Sequence, residues 1–296
     1  MAPDGGSLKL SCNNFTFDFS SKTYIMGILN VTPDSFSDGG LYFNKNKAIE
    51  HALKMEDEGA DMVDIGGEST RPGSEAIPVK EEIRRVVPVI EKLIKKIKIP
   101  ISIDTYKSAV AKAAFEAGAS IVNDISGLRF DPEMPEVVAH HKVPVVIMHI
   151  KGTPKNMQKN PTYTALIPEI MDYLREGIEI ARAVGIADDK IIIDPGIGFG
   201  KTVEHNLEII KRLNEFTGFE KPILLGPSRK SFIGKILSMN HDGSYLGDLP
   251  VTERLEGTAA AVAVGIFNGA NIIRVHDVKA MVRVARVTDA IKRGFC

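Results

Sequence analysis

From residue 24 onward the chain alternates eight times between a short apolar run and a segment of helical spacing. The strand-like runs are 24–29, 62–65, 101–103, 121–122, 145–148, 191–193, 223–225 and 272–275. The helical segments are 48–58, 80–98, 108–117, 133–140, 165–184, 203–215, 251–267 and 278–292. Runs that are apolar on both faces suit parallel strands covered by helices, because neither face meets water. Eight such units predict an α/β fold, a (β/α)8 TIM barrel. A doubly wound open sheet is the alternative, and the even recurrence favours closure. With 44% hydrophobic residues in 296, one large core can be filled.

The first 22 residues differ. Residues 8–12 and 15–20 alternate apolar and polar, with Asn13 and Asn14 between them. This predicts a β-hairpin that closes the bottom of the barrel and carries no chemistry. The expected division is a tail and hairpin over 1–22 and a barrel domain over 23–296.

Net charge is −1, so no global field favours nucleic acid or an anionic membrane. The longest clear apolar run, 259–267, is too short to cross a bilayer. The N-terminus lacks the basic and apolar regions of a signal peptide. Cys12 and Cys296 form neither a disulfide framework nor a zinc site, and a cytoplasmic location is expected.

Three segments share one pattern: Gly59-Ala60-Asp61-Met62-Val63-Asp64, Gly118-Ala119-Ser120-Ile121-Val122-Asn123 and Gly269-Ala270-Asn271-Ile272-Ile273-Arg274. The Gly-Ala part suits any helix-to-strand turn. The final Asp, Asn and Arg are poor strand formers, and polar groups at the C-terminal ends of barrel strands bind or react. Further strand ends carry Asn30, Asp104, His149, Asp194, Lys230 and His276. Asp104 or Thr105 could instead cap the following helix. Two long loops, 31–47 and 66–78, are rich in glycine and hydroxyls and can fold over a substrate.

Several motifs fail. The first glycine of a P-loop ending at Gly200-Lys201-Thr202 falls on Pro195, and Gly196, Gly198 and Gly200 miss the dinucleotide spacing. No H-E-x-x-H or G-x-S-x-G is present. What remains divides into acceptors (Asp104, Asn123, Asp194) suited to an N–H-rich heterocycle, and donors (Arg71, Lys230, Arg274, His276) suited to an anion. Asn30 and a divalent ion could help with the anion.

Eight segments, 26–40, 66–74, 102–107, 122–127, 148–158, 194–206, 228–234 and 274–278, resemble the dihydropteroate synthases of the folate pathway, in that family's order. The resemblance spans nearly everything after residue 23. It implies a transferase that joins 6-hydroxymethyl-7,8-dihydropterin diphosphate to 4-aminobenzoate with Mg2+ assisting, releasing diphosphate by a dissociative substitution. Carried over, the pterin would meet Asp104, Asn123, Met148, Asp194 and Lys230. The diphosphate would meet Asn30, Arg71, Arg274 and His276, with Asn30 at the metal. Aminobenzoate would meet Phe36, Pro72, Phe199, Lys230 and Ser231. Asp38, Ser69 and Thr70 belong to the closing loops, and Asp38, Thr70, Arg71, Asp104 and Lys230 are the expected catalytic set. The resemblance also implies sulfonamide inhibitors and a homodimer. Two rivals are a methyltetrahydrofolate-binding methyltransferase on the same barrel, which needs neither the Arg71 loop nor the Ser228-Arg229-Lys230 cluster, and a non-catalytic pterin-binding protein.

Overall fold

In a computed structural model the described residues are 8–32, 41–240, 244, 247 and 249–294. The chain opens with a hairpin, β1 (Lys9–Cys12) and β2 (Phe15–Asp18), paired antiparallel with Cys12 opposite Phe15. Asn13 takes φ 48°, the left-handed conformation that Asn tolerates and a two-residue hairpin turn requires.

The barrel strands are β3 (Tyr24–Asn30), β4 (Met62–Gly66), β5 (Ile101–Asp104), β6 (Ile121–Asp124), β7 (Val145–Met148), β8 (Ile191–Asp194), β9 (Leu224–Leu225) and β10 (Ile272–Val275). All neighbouring strands pair in parallel, in the order β8-β7-β6-β5-β4-β3-β10-β9, and a bridge from Ile193 to Ile223 closes the ring. The helices are α1 (Leu41–Asp57), α2 (Val79–Leu93), α3 (Ser108–Ala117), α4 (Met134–His141), α5 (Leu166–Ala183), α6 (Val203–Lys211), α7 (Ser231–Leu237), α8 (Leu255–Phe267) and α9 (Val278–Arg293).

The eight predicted strands are all present, several one or two residues longer. The helices differ more at their ends. The lysine-rich stretch after Leu93 is a turn, and residues 213–219 and 251–253 form 3-10 turns instead of extending α6 and α8. Helix α7 was not anticipated: its seven residues are too few for a periodic signal.

The core divides by barrel height. Leu10, Cys12, Phe17 and Phe19 of the hairpin region pack against the strand starts, including Tyr24, Met62 and Ile192. The rings of Phe17 and Phe19 lie edge-on to Tyr24 at 5.0 and 5.4 Å. The hairpin therefore plugs the N-terminal end, as expected, which leaves the other end for ligands.

Register aligns the polar strand ends. Asn30 is opposite Gly66, Gly66 opposite Asp104, and Asp104 opposite Asn123, so four adjacent strands end on one level. Asp194 is opposite Met148 on the far side. Neither Asp104 nor Thr105 caps a helix. Lys107 occupies the N-cap of α3 without a side-chain capping bond, and the Ser108 N–H donates to Asp131 at 2.7 Å.

Candidate active site

Asp64, Asn123 and Arg274, the three residues that end the repeated Gly-Ala segments, meet at the barrel mouth. Asp64 Oδ2 accepts from Arg274 Nε at 2.6 Å and from Asn123 Nδ2 at 2.9 Å. Arg274 Nη2 donates to Asp104 Oδ2 at 2.6 Å. Asp64 is fully buried, and Asp104 and Asn123 are buried beside it. Two buried carboxylates are stable here only because the guanidinium neutralises and hydrogen-bonds both. The family resemblance gives Asp64 no ligand; the repeat places it at a strand end with Asn123 and Arg274, and the structure supplies its partners.

The cluster is incomplete on one side. Asp104 Oδ1, Asn123 Oδ1, Asp64 Oδ1 and the Ser102 hydroxyl are buried and have no hydrogen-bond partner. Each such group costs about 1–3 kcal/mol, so a row of unmatched acceptors marks a place for donors. Asp194 ends β8 near this row, and its Oδ1 accepts from the Gly196 N–H at 2.7 Å. Burial pushes the Asp194 carboxyl up to about 6, against the pull of that N–H and of Lys230 and Lys201. Burial pushes Asp104 up as well, opposed by Arg274 and reinforced by Asp64.

Lys230 links this row to the glycine loop after β8. Its Nζ sits 4.0 Å from the centre of the Phe199 ring, a cation–π contact. Burial, then Arg274, push its ammonium down to about 8, while Asp194 and Asp104 pull it back. Gly198 has φ 81°, and a Cβ there would lie 2.9 Å from Lys230 Cδ. The glycine is what lets the lysine stem lie along the loop. Beneath the loop, buried Lys201 donates to the Phe199 carbonyl at 3.0 Å and stands 2.8 Å from His149 Nδ1. Met148 packs with Ile125, Ile150 and Met157, with Phe199 against them, and forms an apolar floor. Ser231 opens α7 and is exposed.

The donors on the other side separate into two roles. Arg229 and Lys230 are adjacent in sequence, yet Arg229 turns away in a left-handed conformation (φ 57°). Its Nε and Nη2 form a two-pronged pair with Asp277 at 2.8 and 2.5 Å. Arg229 thus fixes the turn that aims Lys230. The His276 backbone N–H donates to Ser228 Oγ at 3.1 Å, and its ring Nδ1 is 3.0 Å from the same oxygen. Burial, then Arg274 and Arg229, push its imidazole down to about 3. The ring is therefore a neutral donor. With Ser228 giving its proton to Nδ1, Nε2–H is the donor left for a ligand.

Thr70 is half-buried, and Arg71 and Pro72 are exposed on the loop after β4. Arg71 is close enough to contribute to the lowered His276 pKa. Phe36 and Asp38 lie outside the described residues. Asn30 is half-buried, and its Oδ1 faces the side-chain-free Gly66: a Cβ there would be 3.6 Å from it and 3.5 Å from Asp104 Oδ2. The Asn30 amide oxygen is a hard donor of the kind Mg2+ takes alongside phosphate and water, whereas Asp104 Oδ2 is already bonded to Arg274 Nη2 at 2.6 Å.

A closed parallel barrel with charged, unmatched polar groups at the C-terminal ends of its strands defines an enzyme of the barrel class. Residues 26–276 match the pterin binding enzyme family. The chain is 49% identical to a dihydropteroate synthase of Bacillus subtilis, over 92% of this chain and 90% of that one. It is 42% identical to that of Escherichia coli over 96% of both. Among solved structures, a Clostridium difficile dihydropteroate synthase determined with pteroic acid superposes with TM-score 0.86 at 48% identity, covering 94% of this chain and 99% of that one. A Xanthomonas albilineans dihydropteroate synthase with 4-aminobenzoic acid gives TM-score 0.88 at 40% identity, covering 97% and 99%. The chain belongs to the pterin-binding enzyme family and, within it, to the dihydropteroate synthases, transferases of folate biosynthesis.

Proposed function

We propose that the chain joins 6-hydroxymethyl-7,8-dihydropterin diphosphate to 4-aminobenzoate by a dissociative substitution, giving 7,8-dihydropteroate and diphosphate. The observation that carries the site assignment is the row of buried, partnerless acceptors, Asp104 Oδ1 and Asn123 Oδ1, with Asp194 beside it. The N–H groups of a pterin ring satisfy such a row, and Met148 supports the ring from the apolar side. The free N–H donors of Arg274, Nε2–H of His276, the amide of Asn30 and the Arg71 side chain then take the diphosphate.

The methylene C–O bond breaks with its electron pair leaving on diphosphate. The charge that develops there is met by the Arg274 and Arg71 guanidiniums. The methylene left behind becomes cation-like, and the neighbouring Asp104 carboxylate favours that state. Asn30 would hold Mg2+ together with the substrate phosphates and water, and the ion when bound would neutralise phosphate charge. The weakly basic aniline nitrogen then forms the new C–N bond and gives up a proton to the released diphosphate. It needs proximity and a dry site more than a base. Lys230, Phe199, Ser231 and Pro72, together with Phe36, hold aminobenzoate, and Thr70 and Asp38 close over it.

Positional isotope exchange tests the dissociative step. With 18O at the bridging oxygen of the pterin diphosphate and no aminobenzoate, the label should scramble on the protein; strict retention counts against bond breaking before attack.

By the same reading, sulfonamides that mimic aminobenzoate compete for the Lys230–Phe199 pocket. A Yersinia pestis dihydropteroate synthase, 42% identical, was solved with a sulfonamide drug. A homodimer is also proposed. Helix α8 buries Val262 and Ile266 but leaves Val264 and Phe267 exposed, and Val264 lines one groove with the exposed Leu207, Ile236 and Leu237. Sedimentation velocity that finds only monomer removes this part. No helix of the described residues is long and apolar enough to cross a membrane. The free, buried Cys12 thiol suits a reducing cytoplasm.

A further inference from the structure

Outside the ligand-facing row, the most completely engaged polar cluster lies under the loop after β4. Glu68 is buried, and its two oxygens are shared three ways. Oε2 accepts from Lys107 Nζ at 2.6 Å and from the Ile77 N–H at 2.8 Å. Oε1 accepts from the Tyr106 hydroxyl at 2.7 Å. Lys107 Nζ also donates to the Ile77 carbonyl at 2.7 Å and to Glu82 Oε2 at 2.7 Å. Both backbone polar groups of Ile77 are thus captured by side chains, the N–H by Glu68 just after β4 and the carbonyl by Lys107 at the N-cap of α3.

We propose that Glu68 is the positioning residue of the 69–76 loop: with Lys107 and Tyr106 it fastens the loop's exit at Ile77 to its entry, so that Arg71 and Pro72 are presented over the strand ends. The choice of a charged cluster argues for this role. One ammonium against two buried carboxylates is a costly way to stabilise a core, which apolar side chains of similar volume do as well or better. Here the charges are aimed at loop backbone. Fixing the two ends of a segment also removes the loop-closure part of the entropy that it would otherwise lose on ordering over a substrate.

Local packing is built to allow the arrangement. A Cβ on Gly67 would meet Val86 Cγ1 at 2.7 Å and Glu82 Cγ at 2.9 Å, so glycine lets the chain press against α2 and brings Glu68 to Glu82. Arg85 Nη1 donates to the Gly67 carbonyl at 2.9 Å. The far side of the loop is held more lightly, by the Gly73 N–H to the Pro154 carbonyl at 2.9 Å and by an exposed ion pair between Glu75 and Lys155 at 2.9 Å.

The inference rests on the proposed role of Arg71 and Pro72 in substrate capture, and its test separates the two. Glu68→Gln and Tyr106→Phe should both speed amide hydrogen exchange across 69–77 while the barrel strands keep their protection. KM for 4-aminobenzoate should rise about tenfold in Glu68→Gln and less in Tyr106→Phe. Affinity for hydroxymethylpterin without its diphosphate, measured by calorimetry, should stay within about twofold, because that ring meets the other strand ends. Unchanged exchange in both variants overturns the proposal. So does an equal loss of pterin affinity with faster exchange throughout the barrel, which makes the cluster a general stabiliser. Faster loop exchange with an unmoved KM keeps the clamp and instead contradicts the loop's place in substrate capture.

Discussion

Arg274 reaches across the barrel mouth to Asp64, Nε to Oδ2 at 2.6 Å, over a sequence separation of 210 residues. The pair makes Arg274 a structural cation as well as the proposed donor to diphosphate. Asp64→Ala leaves the guanidinium with Asp104 alone and should cost about 3–5 kcal/mol of stability. Urea denaturation measures this, and an unchanged midpoint contradicts the pairing. Arg274→Ala should lower turnover and stability together, since it strands two buried carboxylates.

Asp194 gives a pH signature. Its carboxyl is raised from 3.8 to about 6 in the folded chain, so the folded state holds that proton more tightly than the unfolded state. The contribution to stability is therefore full below about pH 4 and is lost as pH rises toward 6. Asp194→Asn keeps an oxygen for the Gly196 N–H but cannot ionise. Its stability relative to the parent should improve from pH 4 to 7 by at most about 3 kcal/mol, while pterin affinity falls. A pH-independent difference between the two proteins contradicts the raised carboxyl.

Gly198→Ala tests the contact between the glycine loop and Lys230. The added methyl meets Lys230 Cδ at 2.9 Å from a backbone at φ 81°. A cost of about 1–2 kcal/mol is expected from the conformation alone. Steady-state kinetics should show KM for 4-aminobenzoate rising with it, since the lysine must leave the Phe199 ring. Unaltered kinetics would remove Lys230 from that pocket.

Phe17→Ala tests the hairpin as a plug. Phe17 is buried against Tyr24 at the strand starts. Its loss should cost about 3–5 kcal/mol in thermal or chemical denaturation. Turnover per folded molecule should hold, because the site is at the opposite end; a large change in kcat at a temperature where the variant is folded contradicts that separation.

The barrel was legible because each strand is apolar on both faces and each helix recurs on schedule, so periodicity alone determined the order. The strand-end residues were legible because Asp, Asn and Arg are out of place in a strand: Asp104, Asn123, Asp194 and Arg274 all face the mouth. Pairing was not legible. Asp64 looked like its neighbours in the repeat, and only closure of the ring brings Arg274 to it. Arg229 and Lys230 carry the same charge side by side, and the left-handed turn at Arg229 is what sends them to different partners. His276 reads only as a donor until burial and two arginines placed around it make the ring neutral. Glu68 and Lys107 sit within recognised motifs, but their link depends on how tightly Gly67 packs on α2.

The most direct measurement is diphosphate release from 6-hydroxymethyl-7,8-dihydropterin diphosphate in the presence of Mg2+, with and without 4-aminobenzoate. Release that depends on aminobenzoate and matches the 7,8-dihydropteroate formed is the predicted result. No release, or release equally fast without aminobenzoate, contradicts it.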